Sequence, residues 1–348
     1  MAPLSLPFFL WSSLAVRVKH LVPTHEDPPG GMWTFGRGSE AIQAWATATD
    51  PVSQGEVERV EIPGADGFAF VLKNCASKQA CDALIAESER AGFLNSEDTP
   101  LDPRGRRIRC NGMVSWILGA SSAEIIFDRV KEHLSETVVA YSGDSLRSSE
   151  KVGKRRCDGA PEGEYKVSGL NQRCRLYRYR AGSTDAFPIH VDEVWPGASL
   201  ETDGDTNLLS YDGWAYGAKE KDPWAYKEGD RVSHMSFLLY LSSHDAGAGG
   251  ETVLYLENGG SVRVSPVAGD ALVFGQSFQL GRSDCDHSQY ALRHEGVPME
   301  QPASIGWFSG LFGKSEDSQS NDSAEIKYVL RTDVLYSLPT KGALEDTC

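Results

Sequence analysis

Residues 173–192 read RCRLYRYRAGSTDAFPIHVD, and this stretch decides which fold and which chemistry the chain can have. Its first part, 173–180, has the sequence pattern of a β-strand, and Gly182 indicates a turn. A second extended run ends at His190-Val191-Asp192. Because residues i and i+2 of a strand point to the same side, His190 and Asp192 are predicted to bind one metal ion together.

The sequence after Gly169 changes to short strand signals separated by glycine turns, without intervening helices. Asn258-Gly259-Gly260 is a hairpin signal between two of these strands. Such a pattern predicts an α+β chain with a mainly β core, a closed or double-sheet antiparallel structure such as a jelly roll. The predicted strands lie at 173–180, 235–241, 252–257, 261–265, 270–274 and 327–336.

Two helices are predicted before this β core. Ser77 stands at the capping position of the first helix, and Gly92 ends it. The second is predicted from Ser121, with Glu124 completing a capping box. Its apolar stripe, which we expect to be buried, consists of Phe127, Val130 and Leu134.

The chain is therefore divided into an extended lead-in over 1–60, a helical support region over 61–168 and a jelly-roll domain over 169–340. Two long polar segments interrupt the last of these, at 197–232 and 300–325. Loops of this length inside a compact domain are usually lids, binding loops or insertions. The first is predicted to be a substrate lid or a packed excursion because it carries Trp214, Tyr216, Trp224 and Tyr226. The second is predicted to be a mobile insertion.

A third metal ligand has to come from a distant strand. The candidates are His234, His244, His287 and His294. His294 is preferred because it follows the apolar strand 271–274 and precedes the strand that begins at Lys327, with His287 as the reserve. His234 is interpreted as a surface or hydrogen-bonded residue and His244 as part of a turn. Two imidazoles and one carboxylate, with other positions free, are the donors that hold non-haem Fe(II) in oxygenases.

Charge and composition restrict the partners. The net charge of -15 argues against nucleic acid, whose binding depends on Lys and Arg contacts with phosphates. Two basic clusters, Arg104–Arg107 and Lys151–Arg156, are interpreted as solvated loops. We expect a peptide, protein or small-molecule substrate, while the oligomeric state is left open.

The compartment is left with two alternatives. Seven scattered cysteines without a C-x-x-C pair suit a reducing compartment, or an oxidising one with one or two bridges. Residues 4–16 are apolar but too short to span a bilayer comfortably, and no Lys or Arg precedes them. A cytoplasmic location is favoured, and the secretory pathway is the alternative if this segment acts as a signal. No other window is a transmembrane candidate.

The motifs of residues 170–337 occur in an order that resembles the 2-oxoglutarate/Fe(II) dioxygenases, and most of all their prolyl 4-hydroxylase-like branch. The segments that carry the resemblance are Tyr179…Gly182…Phe187…His190-x-Asp192, Ser236–Leu241, Gly249-Gly250-Glu251-Thr252, Pro266-x-x-Gly269-Asp270 with Ala271–Phe274, His294-Glu295-Gly296, and Lys327–Asp333. The segment 66–140 also resembles the support helices that precede this core in relatives.

The resemblance implies a double-stranded β-helix whose iron is held by His190, Asp192 and His294. It further implies that Lys327, or alternatively Arg331, binds the C5 carboxylate of 2-oxoglutarate. An Arg would bind it as a bidentate fork and a Lys through a point contact.

Two further residues join the cosubstrate site by resemblance. Tyr179 matches the tyrosine that hydrogen-bonds the cosubstrate, with ordinary core packing as its alternative, and Thr252 would line the same pocket.

The reaction implied by the resemblance is hydroxylation of a C–H bond with O2, with release of succinate and CO2. Relatives commonly need ascorbate to restore oxidised iron, and the same is expected here. A peptidyl proline or another protein side chain is the preferred substrate. The alternatives are a small molecule, an alkylated base, or a catalytically silent jelly-roll binding module.

Overall fold

The computed structural model describes the parts of the chain that build the β core and its helices. These are residues 15–20, 30–35, 55–65, 67–95, 97, 105, 107, 109–140, 163–192, 195–203, 206–212, 229–245, 248–256, 259–276, 280–281, 292–300 and 325–337. Every structural statement below concerns these residues. Half of the 197–232 insertion and nearly all of the 300–325 insertion lie outside them. So do the reserve ligand His287, the four aromatic residues named for the first insertion and the basic cluster Lys151–Arg156.

Eighteen strands and two α-helices are formed within these ranges. The strands are β1 (Ala15–His20), β2 (Met32–Phe35), β3 (Glu58–Glu61), β4 (Ala69–Lys73), β5 (Gly112–Ile117), β6 (Thr137–Ala140), β7 (Gly163–Leu170), β8 (Arg173–Arg180), β9 (Phe187–His190), β10 (Ala198–Asp203), β11 (Thr206–Tyr211), β12 (Arg231–Tyr240), β13 (Thr252–Tyr255), β14 (Ser261–Val264), β15 (Ala271–Gly275), β16 (Leu280–Gly281), β17 (Arg293–Gly296) and β18 (Ile326–Ser337). The helices are α1 (Lys78–Ala91) and α2 (Ala120–Val130), and a short 3₁₀ turn (Lys131–His133) follows α2.

The strands form one large and one small sheet. The large sheet has 14 strands, and its main path runs β10-β11-β1-β2-β5-β8-β18-β12-β15-β4-β3. The small sheet has the order β14-β13-β17-β9. From β8 onward the chain passes repeatedly between the two sheets, so β8, β12, β15 and β18 lie in one and β9, β13, β14 and β17 in the other. The jelly-roll prediction is thereby confirmed.

Strand β12 shows how the two faces of the large sheet are filled. Phe237 and Leu239 belong to a core cluster that includes residues of both helices, whereas Leu238 and Tyr240 join a second cluster with Leu254 of the small sheet. This alternation follows from the two-residue period of a strand. The large sheet therefore packs against helices on one face and against the small sheet on the other.

Helix α1 has the predicted ends. The Ser77 hydroxyl accepts a hydrogen bond from the Ala80 amide, and Gly92 closes the helix at a φ of 89° with its amide donating to the Ser88 carbonyl. A positive φ at this position favours glycine. The capping box predicted for α2 is wrong, since that helix begins at Ala120 and has Gly119 as its N-cap without a side-chain hydrogen bond.

The earlier start of α2 explains that error, because it places Ser121 inside the first turn rather than at the cap. The predicted apolar stripe of α2 packs as expected. Val130 and Leu134 are buried, and the partly buried Phe127 packs against the same cluster.

The N-terminal region and the first insertion extend the large sheet. Within the predicted lead-in, β1 and β2 pair with each other, and β2 also pairs with β5. The start of the 197–232 segment is a hairpin, β10–β11, whose second strand pairs in parallel with β1. The predicted support region supplies strands as well as helices. None of the helices that the structure describes is long and apolar enough to cross a membrane. The described cysteines, Cys75, Cys81, Cys110 and Cys174, are free thiols.

Candidate metal centre

Three side chains that are distant in sequence meet between two neighbouring strands of the small sheet. His190 ends β9 and lies directly opposite His294 of the antiparallel β17. Asp192 follows His190 by two residues. One ligand atom from each of these residues lies within 4.8 Å of the others. The predicted triad is thus assembled, with His294 rather than another described histidine as its third member.

Both imidazoles are held in the orientation that metal binding requires. Nδ1 of His190 is 2.7 Å from the Pro188 carbonyl oxygen, and Nδ1 of His294 is 3.1 Å from that of Leu292. A carbonyl can only accept a hydrogen bond, so each Nδ1 carries a proton, and in the neutral ring Nε2 is then the nitrogen with the free lone pair. The two Nε2 atoms lie 3.6 and 3.7 Å from the Asp192 carboxylate.

The electrostatics of the centre suit a cation. Burial lowers the pKa of His294 to about 4, so the ring is neutral near pH 7. Burial by itself would raise the pKa of Asp192, yet Arg331 and the two imidazoles hold that pKa below its usual range. The centre therefore combines the neutral imidazole of His294 with the ionised carboxylate of Asp192, which are the protonation states in which these groups bind metal.

Arg331 contacts the carboxylate of Asp192. Its Nε lies 3.2 Å from Oδ2 of Asp192, and its Nη2 donates a hydrogen bond of 3.2 Å to Asp333. Arg331 lies on the same face of β18 as Lys327, as predicted, since both line one cavity. Its guanidinium, however, is engaged by two carboxylates.

Lys327 lies on that cavity without a carboxylate partner. Its side chain is almost fully buried, and Nζ is 4.9 Å from the ring centre of Tyr179 and 5.7 Å from that of Tyr240. Among the described residues no carboxylate lies within ion-pairing distance of Nζ. Burial lowers the pKa of Lys327 to about 7, although Glu251 acts in the opposite direction. An anionic ligand would stabilise the charged ammonium here.

The cavity joins the triad to the predicted cosubstrate residues. Tyr179, Thr252, Lys327 and Arg331 line it together with all three members of the triad, and Phe187, Leu238 and Val329 supply apolar walls. Thr252 is fixed by a 3.0 Å hydrogen bond from the Tyr240 hydroxyl. Gly296 gives the Tyr179 ring its space, since a Cβ at position 296 would lie 2.9 Å from the Tyr179 hydroxyl oxygen.

Sequence reasoning missed a set of buried polar residues behind Asp192. Oδ2 of Asp192 accepts a 2.5 Å hydrogen bond from Ser236, and Gln276 donates to both Ser236 and Asp333. With Arg331 these residues close a ring of contacts, called the polar ring below. Its members are Asp192, Ser236, Gln276, Asp333 and Arg331. The two-residue period of β18 could have revealed Asp333, which lies on the face of Arg331, whereas no sequence signal marks Gln276.

The other described histidines are not ligands. The interpretation of His234 as a surface or hydrogen-bonded residue is wrong, because it is fully buried and neither ring nitrogen has a hydrogen-bond partner among the described residues. The pairing of β12 with β18 shifts register between Ser233 and Met235, at the position of His234. The His234 ring centre lies 5.1 Å from that of Tyr165. His244 follows β12, and Nε2 of its ring is 3.0 Å from the Ser242 hydroxyl.

Comparisons with known proteins give structural similarities alone. A scan against family models and a search of curated proteins both find no match. Among solved structures, the chain is similar to a viral collagen prolyl hydroxylase of Paramecium Bursaria Chlorella virus-1 in complex with 2OG, at 13% identity and a TM-score of 0.38, over 79% of this chain and 99% of that one.

Two further solved structures are similar at the same level. One is a prolyl hydroxylase from Trichoplax adhaerens with a hypoxia inducible factor peptide (15% identity, TM-score 0.37, 88% of this chain and 94% of that one). The other is HygX from Streptomyces hygroscopicus with nickel, 2-oxoglutarate and hygromycin B (11% identity, TM-score 0.31, 79% of this chain and 84% of that one). Because these values are low, neither family nor activity follows from them, and the chemistry has to be inferred from the site.

Proposed function

We propose that this chain is an Fe(II)- and 2-oxoglutarate-dependent dioxygenase of the prolyl 4-hydroxylase-like branch. The observation that supports it most is the joint placement of His190, Asp192 and His294 on a cavity that also contains the buried, carboxylate-free Lys327. The donor set fits ferrous ion, since two neutral nitrogens and one carboxylate leave coordination positions for a chelating ligand and O2. When bound, iron and 2-oxoglutarate supply the oxidation of a C–H bond to an alcohol by O2, with conversion of the keto acid to succinate and CO2.

The chain's own residues would orient the cosubstrate. Lys327 provides a positive charge for the far carboxylate of the keto acid, and Thr252 and the Tyr179 hydroxyl are placed on the same cavity to accept or donate hydrogen bonds. We assign this role to Lys327 rather than Arg331 because the guanidinium already contacts Asp192 and Asp333. The apolar side chains of Phe187, Leu238 and Val329 keep water from the reacting centre.

The proposed substrate is a peptidyl proline or another protein side chain. A small molecule, an alkylated base and a silent binding module remain the alternatives, and the need for ascorbate remains a prediction. The net charge of -15 disfavours the nucleic-acid alternative.

The test of the activity is succinate release by the full chain with Fe(II), 2-oxoglutarate and O2, comparing wild type with Asp192→Ala and His294→Ala. The matched control is His133→Ala, since His133 is a partly exposed histidine of the 3₁₀ turn, outside the cavity. We expect succinate from wild type and His133→Ala and a loss to background in both triad variants. Equal succinate from Asp192→Ala and wild type would overturn the proposed activity.

The substrate class is tested separately, by supplying ¹⁸O₂ and searching peptides for a gain of one labelled oxygen. Labelled hydroxyproline, or another labelled side chain, in peptides treated with active enzyme supports the proposed substrate class. Consumption of a metabolite without any labelled peptide would replace it with the small-molecule alternative.

A further inference from the structure

The two oxygens of the Asp192 carboxylate have different surroundings. Oδ2 accepts the 2.5 Å hydrogen bond from Ser236 and lies 3.2 Å from Nε of Arg331 and 3.7 Å from Nε2 of His294. Oδ1 lies 3.6 Å from Nε2 of His190 and accepts no hydrogen bond from the described residues. The Ser236 hydrogen bond occupies one lone pair of Oδ2, while both lone pairs of Oδ1 are free to bind a cation.

The Ser236 hydroxyl is directed at Asp192 by a chain of hydrogen bonds. The Trp195 amide donates to the Ser233 hydroxyl at 2.8 Å, and this hydroxyl donates to Oε1 of Gln276 at 2.6 Å. The nitrogen of the Gln276 amide donates to Ser236 at 3.0 Å. Ser236 is then left with a single proton, which it donates to Asp192.

Arg331 closes the ring from the opposite side. The Gln276 nitrogen also donates to Asp333 at 2.5 Å, and Asp333 accepts the 3.2 Å hydrogen bond from Arg331. All members of the polar ring are buried, with the most exposed, Arg331, at 8%. Buried and mutually bonded polar groups leave one another few alternative orientations.

We propose that the polar ring is a positioning device that presents Asp192 to the metal through Oδ1 alone. The inference rests on the proposed function, because the value of single-oxygen binding is that it leaves a coordination position for the keto acid. Ser236 and Arg331 are its positioning residues. Without either of them Oδ2 is released, and the carboxylate can turn or bind the metal through both oxygens.

The test uses Co(II) as the probe in the full chain, with calorimetric titration and the visible d–d absorption of the bound ion. The variants are Ser236→Ala, Arg331→Met and the charge-retaining Arg331→Lys. Thr332→Val is the matched control, since it also removes a buried hydroxyl, that of Thr332 on β18. This hydroxyl donates at 2.6 Å to the Asn171 carbonyl, away from Asp192. Circular dichroism shows whether each variant is folded.

We expect Ser236→Ala and Arg331→Met to weaken Co(II) binding by roughly 10- to 100-fold and to change the absorption spectrum. Arg331→Lys should recover most of the affinity, and Thr332→Val should retain the wild-type spectrum. Wild-type affinity and spectrum in both Ser236→Ala and Arg331→Met would overturn the proposal. So would a weakening without spectral change that Thr332→Val reproduces, since it would reflect general destabilisation.

This test of the polar ring can fail independently of the test of the proposed dioxygenase activity. If the wild-type protein binds Co(II) but neither binds 2-oxoglutarate nor forms succinate with Fe(II), the proposed dioxygenase activity fails, while the comparison of metal binding among the variants still decides the role of the polar ring. If wild type forms succinate and the variants bind Co(II) as it does, only the positioning role fails.

Discussion

Lys327 is a buried ammonium that lies beside the rings of Tyr179 and Tyr240. Burial lowers its pKa to about 7, so at pH 8 a Lys327 without ligand is mostly neutral. A bound carboxylate favours the charged form and raises the pKa. Binding of 2-oxoglutarate to the metal-loaded protein at pH 8 should therefore take up a proton, about 0.9 per site if the pKa rises well above 8. Calorimetry in two buffers of different ionisation enthalpy measures this uptake.

Lys327→Met provides the comparison for that measurement. It should abolish the proton uptake and weaken 2-oxoglutarate binding by roughly 10- to 100-fold, the cost of losing a hydrogen bond to a charged group. The matched control is Lys73→Met, because Lys73 is a half-exposed lysine that pairs with Glu58 at 3.0 Å, outside the cavity. Proton uptake that persists unchanged in Lys327→Met would show that another group is responsible.

At the residue scale, the three residues of the triad could be predicted from the sequence, but the polar residues that surround Asp192 could not. His190 and Asp192 are predictable because the two-residue period of a strand places them on one side. The surroundings of Asp192 are not, since Ser236, Gln276 and Asp333 reach it from separate strands. His234 shows the same limit. A local register shift accompanies its burial, and alternation along the strand gives no sign of that shift.

At the element scale, the start of the 197–232 segment forms part of the framework. Val18, Met32, Ile117, Ala198 and Leu209 form a small cluster of their own, apart from the clusters that lie on either face of β12. The hairpin β10–β11 thus contributes Leu209 to a structural extension of the large sheet, in agreement with the packed excursion that was one of its two interpretations. The four aromatic residues that suggested a lid lie within residues 213–228, which are outside the described part of the chain.

This separation predicts different consequences for two leucines that are almost fully buried. Leu209→Ala and Leu254→Ala should each lower the free energy of unfolding by about 2–5 kcal/mol in chemical denaturation. Leu209→Ala should leave the affinity for Co(II) near that of wild type. Leu254 lies opposite His294 in the strand register, so Leu254→Ala should also weaken Co(II) binding. A loss of metal affinity in Leu209→Ala equal to that in Leu254→Ala would contradict the independence of the extension.

The elements themselves were predicted with different success. Strands of the jelly roll follow from alternation and glycine turns, as at Gly182 and Gly259, which have φ values of 69° and 79°. Strands β1 and β2 were not predicted. They pair with each other, but they join the large sheet through β11 and β5, which are far away in sequence. Their pairing depends on a tertiary context that a local pattern does not contain.

At the scale of the whole molecule, the buried charged groups of the candidate metal centre lower the free energy of unfolding of the metal-free chain. Without a metal, the polar ring contains the carboxylates of Asp192 and Asp333 against the single charge of Arg331, all buried. The two carboxylates exceed the charge of the guanidinium by one, and a buried charge of this kind is costly. Burial and the neighbouring Asp192 accordingly raise the pKa of Asp333. Because the donors come from β9, β17 and the segment after β9, a metal ion would bind only the folded chain and stabilise it.

Asp192→Asn should therefore reverse the order of stability between the metal-free and the metal-bound protein. In the presence of a chelator we expect the variant to be at least as stable as wild type, since the amide removes the uncompensated charge and its oxygen still accepts the Ser236 hydrogen bond. Co(II) at about 100 times its Kd should then stabilise wild type by about 2.7 kcal/mol and the variant by much less. Chemical denaturation with and without Co(II) measures both differences.

Asp212→Asn is the control, because it breaks a carboxylate–arginine pair of 2.6 Å with Arg231 outside the cavity and should keep the full response to Co(II). A metal-free Asp192→Asn protein clearly less stable than wild type would show that the carboxylate serves the fold itself, and an undiminished response to Co(II) would remove Asp192 from the metal centre.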